Sequence, residues 1–350
     1  MTKIGILIHQ PLLDQLFAPA SRAALEEFGE VVVFQGEGTA SVQDAIEILH
    51  DSDIGIGSWG TPHPGSEGLL AACPKLRLWE HVAGAVKHFF NEHSDGRELV
   101  VASCKGAIAD CVAEMTLGNI IVGLRQIIPN ARANRELVGP EPAHWKTQEI
   151  DLEIRIAKLR AAAPSHLNVL ETATVGVIAA SEVGKRVLKL LGNFGCEVLL
   201  YDPFLDAAGA QALGAELVGD LIELCRRADA VTLHTPLLDS TDRLLGAAHF
   251  QAMKDEAIFI NTSRGACIDE AALIAELEKG RLFAFIDVTD PEPAAENSPL
   301  RRLDNVVLTS HLAGPPTTNM GARCVADIRD FLTGGAPDCV VTEDMLSRIA

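Results

Sequence analysis

Aromatic residues are scarce in this chain, at 5% with a single tyrosine, and the shortage removes the stacking surfaces on which single-stranded nucleic acid binds. Positive charge is also short, with 29 Lys and Arg against 48 Asp and Glu, a net charge of −19. Nucleic acid and anionic membrane surfaces are therefore excluded as partners, because polyanions are repelled; a few local cations can still hold a small anion. No uninterrupted apolar run reaches the roughly 18–20 residues that span a bilayer. Met1-Thr2-Lys3-Ile4-Gly5 leads straight into a strand-like segment and carries no signal-peptide profile. The eight cysteines include no CxxC pair and no Cys/His cluster at zinc spacing. Neither a disulfide framework nor a metal site is expected, and buried reduced thiols point to the cytoplasm.

What remains is ample core-forming material. The 350 residues are 48% hydrophobic, and at roughly 150 residues per domain they suggest two domains. Apolar runs at Lys3–Ile8, Val31–Phe34, Asp53–Ile56, Leu76–Trp79 and Leu99–Ala102 read as strands. Helical patterns lie between them near Pro19–Phe28, Val42–His50 and Ser66–Ala72. A second series of strands runs through Thr174–Ile178, Glu197–Tyr201, Ala230–His234, Ala257–Asn261, Phe283–Asp287 and Asn305–Thr309. Its helices, Gly184–Gly192, Asp220–Arg227 and Asp269–Gly280, have plausible caps or glycine stops. Strands alternating with helices imply parallel sheets of βαβ units, so the expected fold class is α/β with two doubly wound lobes. Ala109–Ile128 and Pro315–Leu332 read as long helices crossing between the lobes. Residues 129–170 are the least ordered on paper, with a surface helix expected at Asp151–Ala163.

The turn after the first strand of the second series has the setting of a dinucleotide fingerprint. It follows a strand, opens a helix, and precedes Asp202 at the end of the next strand, where an acid accepts from ribose hydroxyls. The G-x-G-x-x-G pattern has become Ala179-x-Ser181-x-x-Gly184. Alanine and serine are the smallest substitutes, the Ser181 hydroxyl can reach a phosphate, and the helix start at Ala180, Ser181, Glu182 and Val183 offers free amides to an anion. Pro203 and Phe204 provide no arginine for a 2′-phosphate, which favours NAD over NADP. Alone, this turn is equally an ordinary strand–turn–helix.

Three further segments stand at strand ends: Asn261-Thr262-Ser263-Arg264-Gly265, Asp287-Val288-Thr289-Asp290-Pro291-Glu292-Pro293, and Ser310-His311-Leu312-Ala313-Gly314. They bring an Arg, a Glu and a His beyond the carboxyl ends of parallel strands, where such sheets bind ligands. In order and spacing they resemble the D-isomer-specific 2-hydroxyacid dehydrogenase family. Tyr201-Asp202-Pro203, Leu233-His234-Thr235-Pro236-Leu237, Val112-Ala113-Glu114 and His81-Val82-Ala83-Gly84-Ala85-Val86-Lys87 share the resemblance. It covers most of the chain and is weakest over 129–170. The fingerprint is its main departure.

The resemblance implies a Rossmann cofactor domain at 103–312 and a discontinuous flavodoxin-like substrate domain at 1–102 and 313–350. The site would lie in the cleft between them, in a homodimer that interconverts a D-2-hydroxy acid and its 2-oxo acid with NAD. His311 would be the acid/base, because an imidazole titrates near neutrality. Glu292 would hold its ring, and Arg264 would grip the substrate carboxylate. Asp287 would accept from the nicotinamide carboxamide. His234, Thr235, Pro236, Thr262, Ser263, Ala313 and Gly314 would complete the cofactor contacts, with Arg264 and His311. On the substrate side the resemblance implies the amides of Ala83 and Gly84, with Lys87 as an extra cation and Trp59 as a pocket wall.

Plainer roles compete. Lys87 reads more readily as a solvated charge, Trp59 equally as packing, and Asp287 as a cap. Trp145 reads as a packing anchor, and His9 and His81 as structural. The cysteines, Cys267 included, carry no activation signature. A dinucleotide-sensing regulatory protein of the same fold is the rival reading, motivated by the lost glycines and opposed by the intact Arg264, Glu292 and His311. Formate oxidation on this fold would not need Glu292.

Overall fold

A computed structural model describes residues 1–91, 93, 98–136, 169–338, 340–342 and 345. Trp145, the helix expected at Asp151–Ala163 and Cys339 lie outside them. The chain forms two compact units, Met1–Cys111 with Gly314–Ala350, and Val112–Ala313.

The first unit holds strands β1 (Thr2–Ile6), β2 (Gly29–Val33), β3 (Ile54–Gly57), β4 (Leu78–His81) and β5 (Val100–Ser103). They form one parallel sheet in the order β2-β1-β3-β4-β5, with a topological switch between β1 and β3. Its helices are α1 (Gln10–Leu16), α2 (Pro19–Phe28), α3 (Val42–Leu49), α4 (Leu69–Ala72), the first turns of α5 (Lys105–Leu124), and α12 (Thr318–Leu332). The sequence Ile54-Gly55-Ile56-Gly57 explains how the sheet is filled. Ile54 and Ile56 enter a core with Ile4, Leu78, Met320 and Ile328 on one face. On the other, Trp79 lies over the two glycines, and a Cβ would come within 2.8 Å of the indole at Gly55 and 2.4 Å at Gly57. Each large aliphatic buried this way contributes roughly 1.5–3 kcal/mol. At Gly321 a Cβ would sit 2.2 Å from the Leu16 carbonyl oxygen, so a side chain there would push α12 off α1.

The second unit holds β6 (Thr174–Ile178), β7 (Glu197–Tyr201), β8 (Glu216–Leu217), β9 (Ala230–Leu233), β10 (Ile258–Asn261), β11 (Phe283–Ile286) and β12 (Val306–Leu308). Their order, β12-β11-β10-β9-β6-β7-β8, is again all parallel and reverses between β6 and β9. Helices α6 (Ile127–Glu136), α7 (Glu182–Leu191), α8 (Ala207–Ala212), α9 (Leu221–Arg227), α10 (Ala247–Ala252) and α11 (Glu270–Glu278) belong to it with the rest of α5. As the alternation of strands and helices implied, both sheets are α/β. Asp220 and Asp269 cap α9 and α11 by accepting the N–H of Ile222 and Ala272.

Several elements differ from expectation. The helix foreseen at Ser66–Ala72 is only the short α4, because Gly68 takes a left-handed φ of 78° just before it. The helix foreseen at Ala109–Ile128 begins at Lys105 and stops at Leu124; Gln126 turns left-handed with φ 47°, and the chain restarts as α6 in a stretch expected to be irregular. By length and composition α5 could cross a membrane, although it contains no uninterrupted apolar run of that length. In this fold Ala113, Ile120 and Leu124 pack into the second unit's core. Helices α1, α8 and α10 were not anticipated, being too short for their periodicity to register.

Candidate active site

The cofactor crevice begins where the strand order reverses. β6 ends at Ile178, whose carbonyl accepts from His234 beyond β9 at 2.9 Å. Ala179 then adopts φ 75°, a conformation that suits glycine, and donates its N–H to Tyr201. Ser181 is the N-cap of α7, its hydroxyl oxygen accepting from Gly184 N–H at 3.3 Å, which leaves the hydroxyl hydrogen free for an anion. Glu182 and Val183 form the first turn. Gly184 admits no side chain, since a Cβ would stand 2.0 Å from the Ala179 carbonyl oxygen. The third glycine of the fingerprint is therefore sterically required; the first is replaced at a conformational cost, and the second by a serine in ordinary extended backbone at φ −63°.

Asp202 ties the crevice together. One carboxylate oxygen accepts from Ala180 N–H and the other from Phe204 N–H, each at 2.8 Å. Each oxygen keeps a lone pair. His234 is buried, and burial pushes its pKa down to about 3, so its ring is neutral. Thr232 contacts its Nε2 at 2.9 Å, and Nδ1 has no partner among the described residues. Thr235 is buried beside it, and the Pro236 carbonyl accepts from the Thr241 hydroxyl.

The loop after β10 is folded by Asn261. Its carbonyl oxygen accepts from Ser263 N–H and hydroxyl, and its amide donates to the Arg264 carbonyl at 3.0 Å. Thr262 and Ser263 are buried, and the Thr262 hydroxyl meets that of Thr116 on α5 at 3.2 Å. Arg264 is half-buried and donates to the Ser263 carbonyl. A Cβ at Gly265 would lie 2.1 Å from the carbonyl carbon of Thr289, so this glycine lets the Arg264 loop close onto the loop carrying Glu292.

The histidine loop is built around Asp287. The buried carboxylate accepts from the Thr309 hydroxyl, Leu312 N–H and Ala313 N–H, and the Asp287 carbonyl accepts from His311 N–H at 2.8 Å. These bonds hold His311 at φ 57°. Its Nδ1 then meets Glu292 Oε1 at 2.7 Å. The two side chains are 49% and 39% exposed, so the pair is open to a ligand. The structure thus joins His311 with Glu292 directly, and brings the Arg264 and Glu292 loops together through Gly265. Asp287 has an internal role that the sequence did not disclose, as have Asn261 and Thr309. Polar residues at consecutive strand ends were the available signal.

Gly314 and the substrate candidates belong to the first unit. Val82 is fixed after β4 by its N–H to Gly57 and by Ser58 Oγ donating to its carbonyl. The N–H groups of Ala83 and Gly84 enter none of the backbone hydrogen bonds among the described residues. Lys87 opens a short 3₁₀ turn and is exposed, and Trp59 is 42% exposed.

The NAD-binding domain of D-isomer specific 2-hydroxyacid dehydrogenases matches residues 143–313. A D-3-phosphoglycerate dehydrogenase of Methanocaldococcus jannaschii is 31% identical over 309 residues, 88% of this chain and 53% of that one. The chain therefore spans about half the length of that relative. It covers 92% of a glyoxylate reductase of Korarchaeum cryptofilum, which is 26% identical over 329 residues and matches 92% of this chain. The fold is that of Rhodotorula graminis D-mandelate dehydrogenase, with a TM-score of 0.76 at 22% identity and 98% of each chain covered. Together with the strand-end Arg264, Glu292 and His311, these likenesses are those of one family: residues 143–313 match the NAD-binding domain of the D-isomer-specific 2-hydroxyacid dehydrogenases, and the rest of the chain resembles its members.

Proposed function

We propose that this protein interconverts a D-2-hydroxy acid and the corresponding 2-oxo acid with NAD, with His311 as the proton-transfer group. The observation that carries the reading is the 2.7 Å contact between His311 Nδ1 and Glu292, presented on a turn locked by Asp287. A carboxylate on Nδ1 keeps a proton at that nitrogen and leaves Nε2 to give or take the reacting proton. When Nε2 is protonated as well, the carboxylate stabilises the imidazolium that must donate to the 2-oxo oxygen.

The residues at the β6–β9 crevice fit a dinucleotide. Gly184 lets α7 start tight against the Ala179 carbonyl, the start of α7 offers amides, and Asp202 retains acceptor capacity for ribose hydroxyls. The Asp202 carboxylate would repel a 2′-phosphate, and the neighbouring Pro203 and Phe204 supply no counter-charge. When bound, NAD supplies the hydride acceptor or donor. Arg264, with its planar donor fork, would orient the substrate carboxylate. In the first unit, the amides of Ala83 and Gly84 are read as carboxylate donors. The Met1–Cys111 and Gly314–Ala350 unit is read as the substrate domain, and Val112–Ala313 as the cofactor domain.

Calorimetry with NADH and NADPH, followed by a panel of 2-oxo acids monitored at the NADH absorbance, tests this reading. NADH should bind at least about tenfold more tightly than NADPH, and His311→Ala should lower kcat by roughly 10²–10⁴. No NADH binding at millimolar concentration would reject it. Binding without turnover, indifferent to His311→Ala, would instead identify a dinucleotide sensor.

A further inference from the structure

The segments that follow β3 and β4, residues 58–66 and 82–91, carry side chains whose chemistry the proposed reaction leaves unused. In a chain of net charge −19, residues 58–66 and 82–91 contain His63, Lys87 and His88, the nearest acids along the sequence being Glu67 and Glu92. They are bound to each other. Asn91 donates to the Gly65 carbonyl at 3.0 Å. A Cβ on Gly65 would strike the His88 and Phe89 carbonyl oxygens at 2.9 Å, so only glycine lets the loops approach this closely.

Phe89 organises the imidazoles. His63 stacks on it with centroids 4.2 Å apart and planes at 19°. His88 stands edge-on to His63 at 4.7 Å and to Phe89 at 4.5 Å. Beneath them the buried His81 packs against Phe89 at 4.8 Å, and its Nδ1 has no partner among the described residues. His63 Nδ1 accepts from Gly65 N–H at 3.1 Å. That bond assigns the ring proton to Nε2, which becomes an oriented donor. Among the described residues no set of three His, Cys, Asp or Glu is arranged to hold a metal ion. Imidazole N–H and ammonium groups are donors that suit an anion.

We propose that His63, His88 and Lys87 form a subsite for a second anionic group of the substrate, a carboxylate or a phosphate. The inference rests on the function proposed above, in which the first carboxylate meets Ala83 and Gly84. Lys87 follows Gly84 by three residues, and three residues span at most about 11 Å. The substrate is therefore a short 2-oxo acid charged at both ends. Empty, the imidazoles are neutral, since burial and the neighbouring His88 hold His63 down at about 4 and burial lowers His88 too. A bound dianion favours their protonated forms and strengthens its own hydrogen bonds.

The test compares initial rates of NADH oxidation with oxaloacetate, with phosphohydroxypyruvate and with 2-oxobutyrate. The first two carry a second carboxylate or a phosphate, and the third has a neutral tail. The native protein should favour one of the doubly charged acids over 2-oxobutyrate in kcat/KM by about tenfold or more. Which of the two it favours identifies the group. His63→Phe and His88→Phe keep an aromatic ring against Phe89 and remove the donors. Each should reduce that preference about tenfold, chiefly through KM; the urea midpoint of His88→Phe should stay within error of the native value, and that of His63→Phe, which loses the Gly65 bond, should fall slightly. A native preference near one, or variants that retain it, would overturn the subsite alone. No turnover of any of the three acids would remove the proposed function and the subsite with it.

Discussion

At residue 179 the chain holds an alanine at φ 75°, where an L-residue is disfavoured by about 1–2 kcal/mol. The tight turn that a fingerprint glycine makes freely is here enforced by the Ala179–Tyr201 bond in front and by the Ala180–Asp202 bond behind. Ala179→Gly should therefore raise the stability of the protein by about 1 kcal/mol, read as a higher urea midpoint. No gain would show that the surrounding bonds already compensate the alanine. The loss of the first two glycines, which from sequence raised the sensor reading, is thus a local conformational matter. The backbone path survives, and Gly184, the position with no room for a Cβ, is retained. Asp287 teaches the complementary lesson. Its place at a strand end was legible, whereas the three donors that converge on its carboxylate come from residues 22 to 26 positions away and could not be read from local pattern.

Between elements, the pairing of β4 with α12 carries an acidic tension. Glu80 on β4 is fully buried with neither carboxylate oxygen partnered among the described residues, and burial, reinforced by Asp327, raises its pKa well above the usual range. Asp327 on α12 is pushed up to about 6 by burial, with Arg323 opposing and Asp330 assisting. Asp327 also accepts from Asp338 N–H, so it anchors the segment after α12. Carboxyls raised in the folded state bind protons that the unfolded chain has already released above about pH 4. The stability they permit is complete below that pH and declines as pH rises through about 6 for Asp327 and higher for Glu80. Glu80→Gln should flatten this decline, and each tenfold change in acidity that it cancels is worth about 1.4 kcal/mol. Urea unfolding of native and variant protein at pH 5 and pH 8 measures it, and parallel slopes would reject the account. Nothing in strand periodicity foretold it, because an acid at an inward position reads as an ordinary surface residue until the covering helix is known.

For the whole molecule, the charge of −19 predicts self-repulsion. Raising salt from about 10 to 150 mM shortens the screening length from about 30 to 8 Å and should raise the thermal midpoint by a few degrees. An unchanged midpoint by calorimetry would show that exposed pairs such as Arg227 with Glu197 and Glu216 already balance the field. At this scale the sequence by itself determined much. Alternating apolar runs and helical spacings dictate parallel α/β sheets, since burial on both faces demands them. The strand-end positions of Arg264, Asp287, Glu292 and His311 follow from the same alternation. Only the tertiary structure decided which of these residues meet. Hydrogen bonds and steric exclusion act across space: Glu292 reaches His311 because Asp287 fixes one loop, while Gly265 admits the Arg264 loop against the other. In the first unit, His63 and His88 become a pair only because Phe89 and Gly65 bring two separate strand ends together.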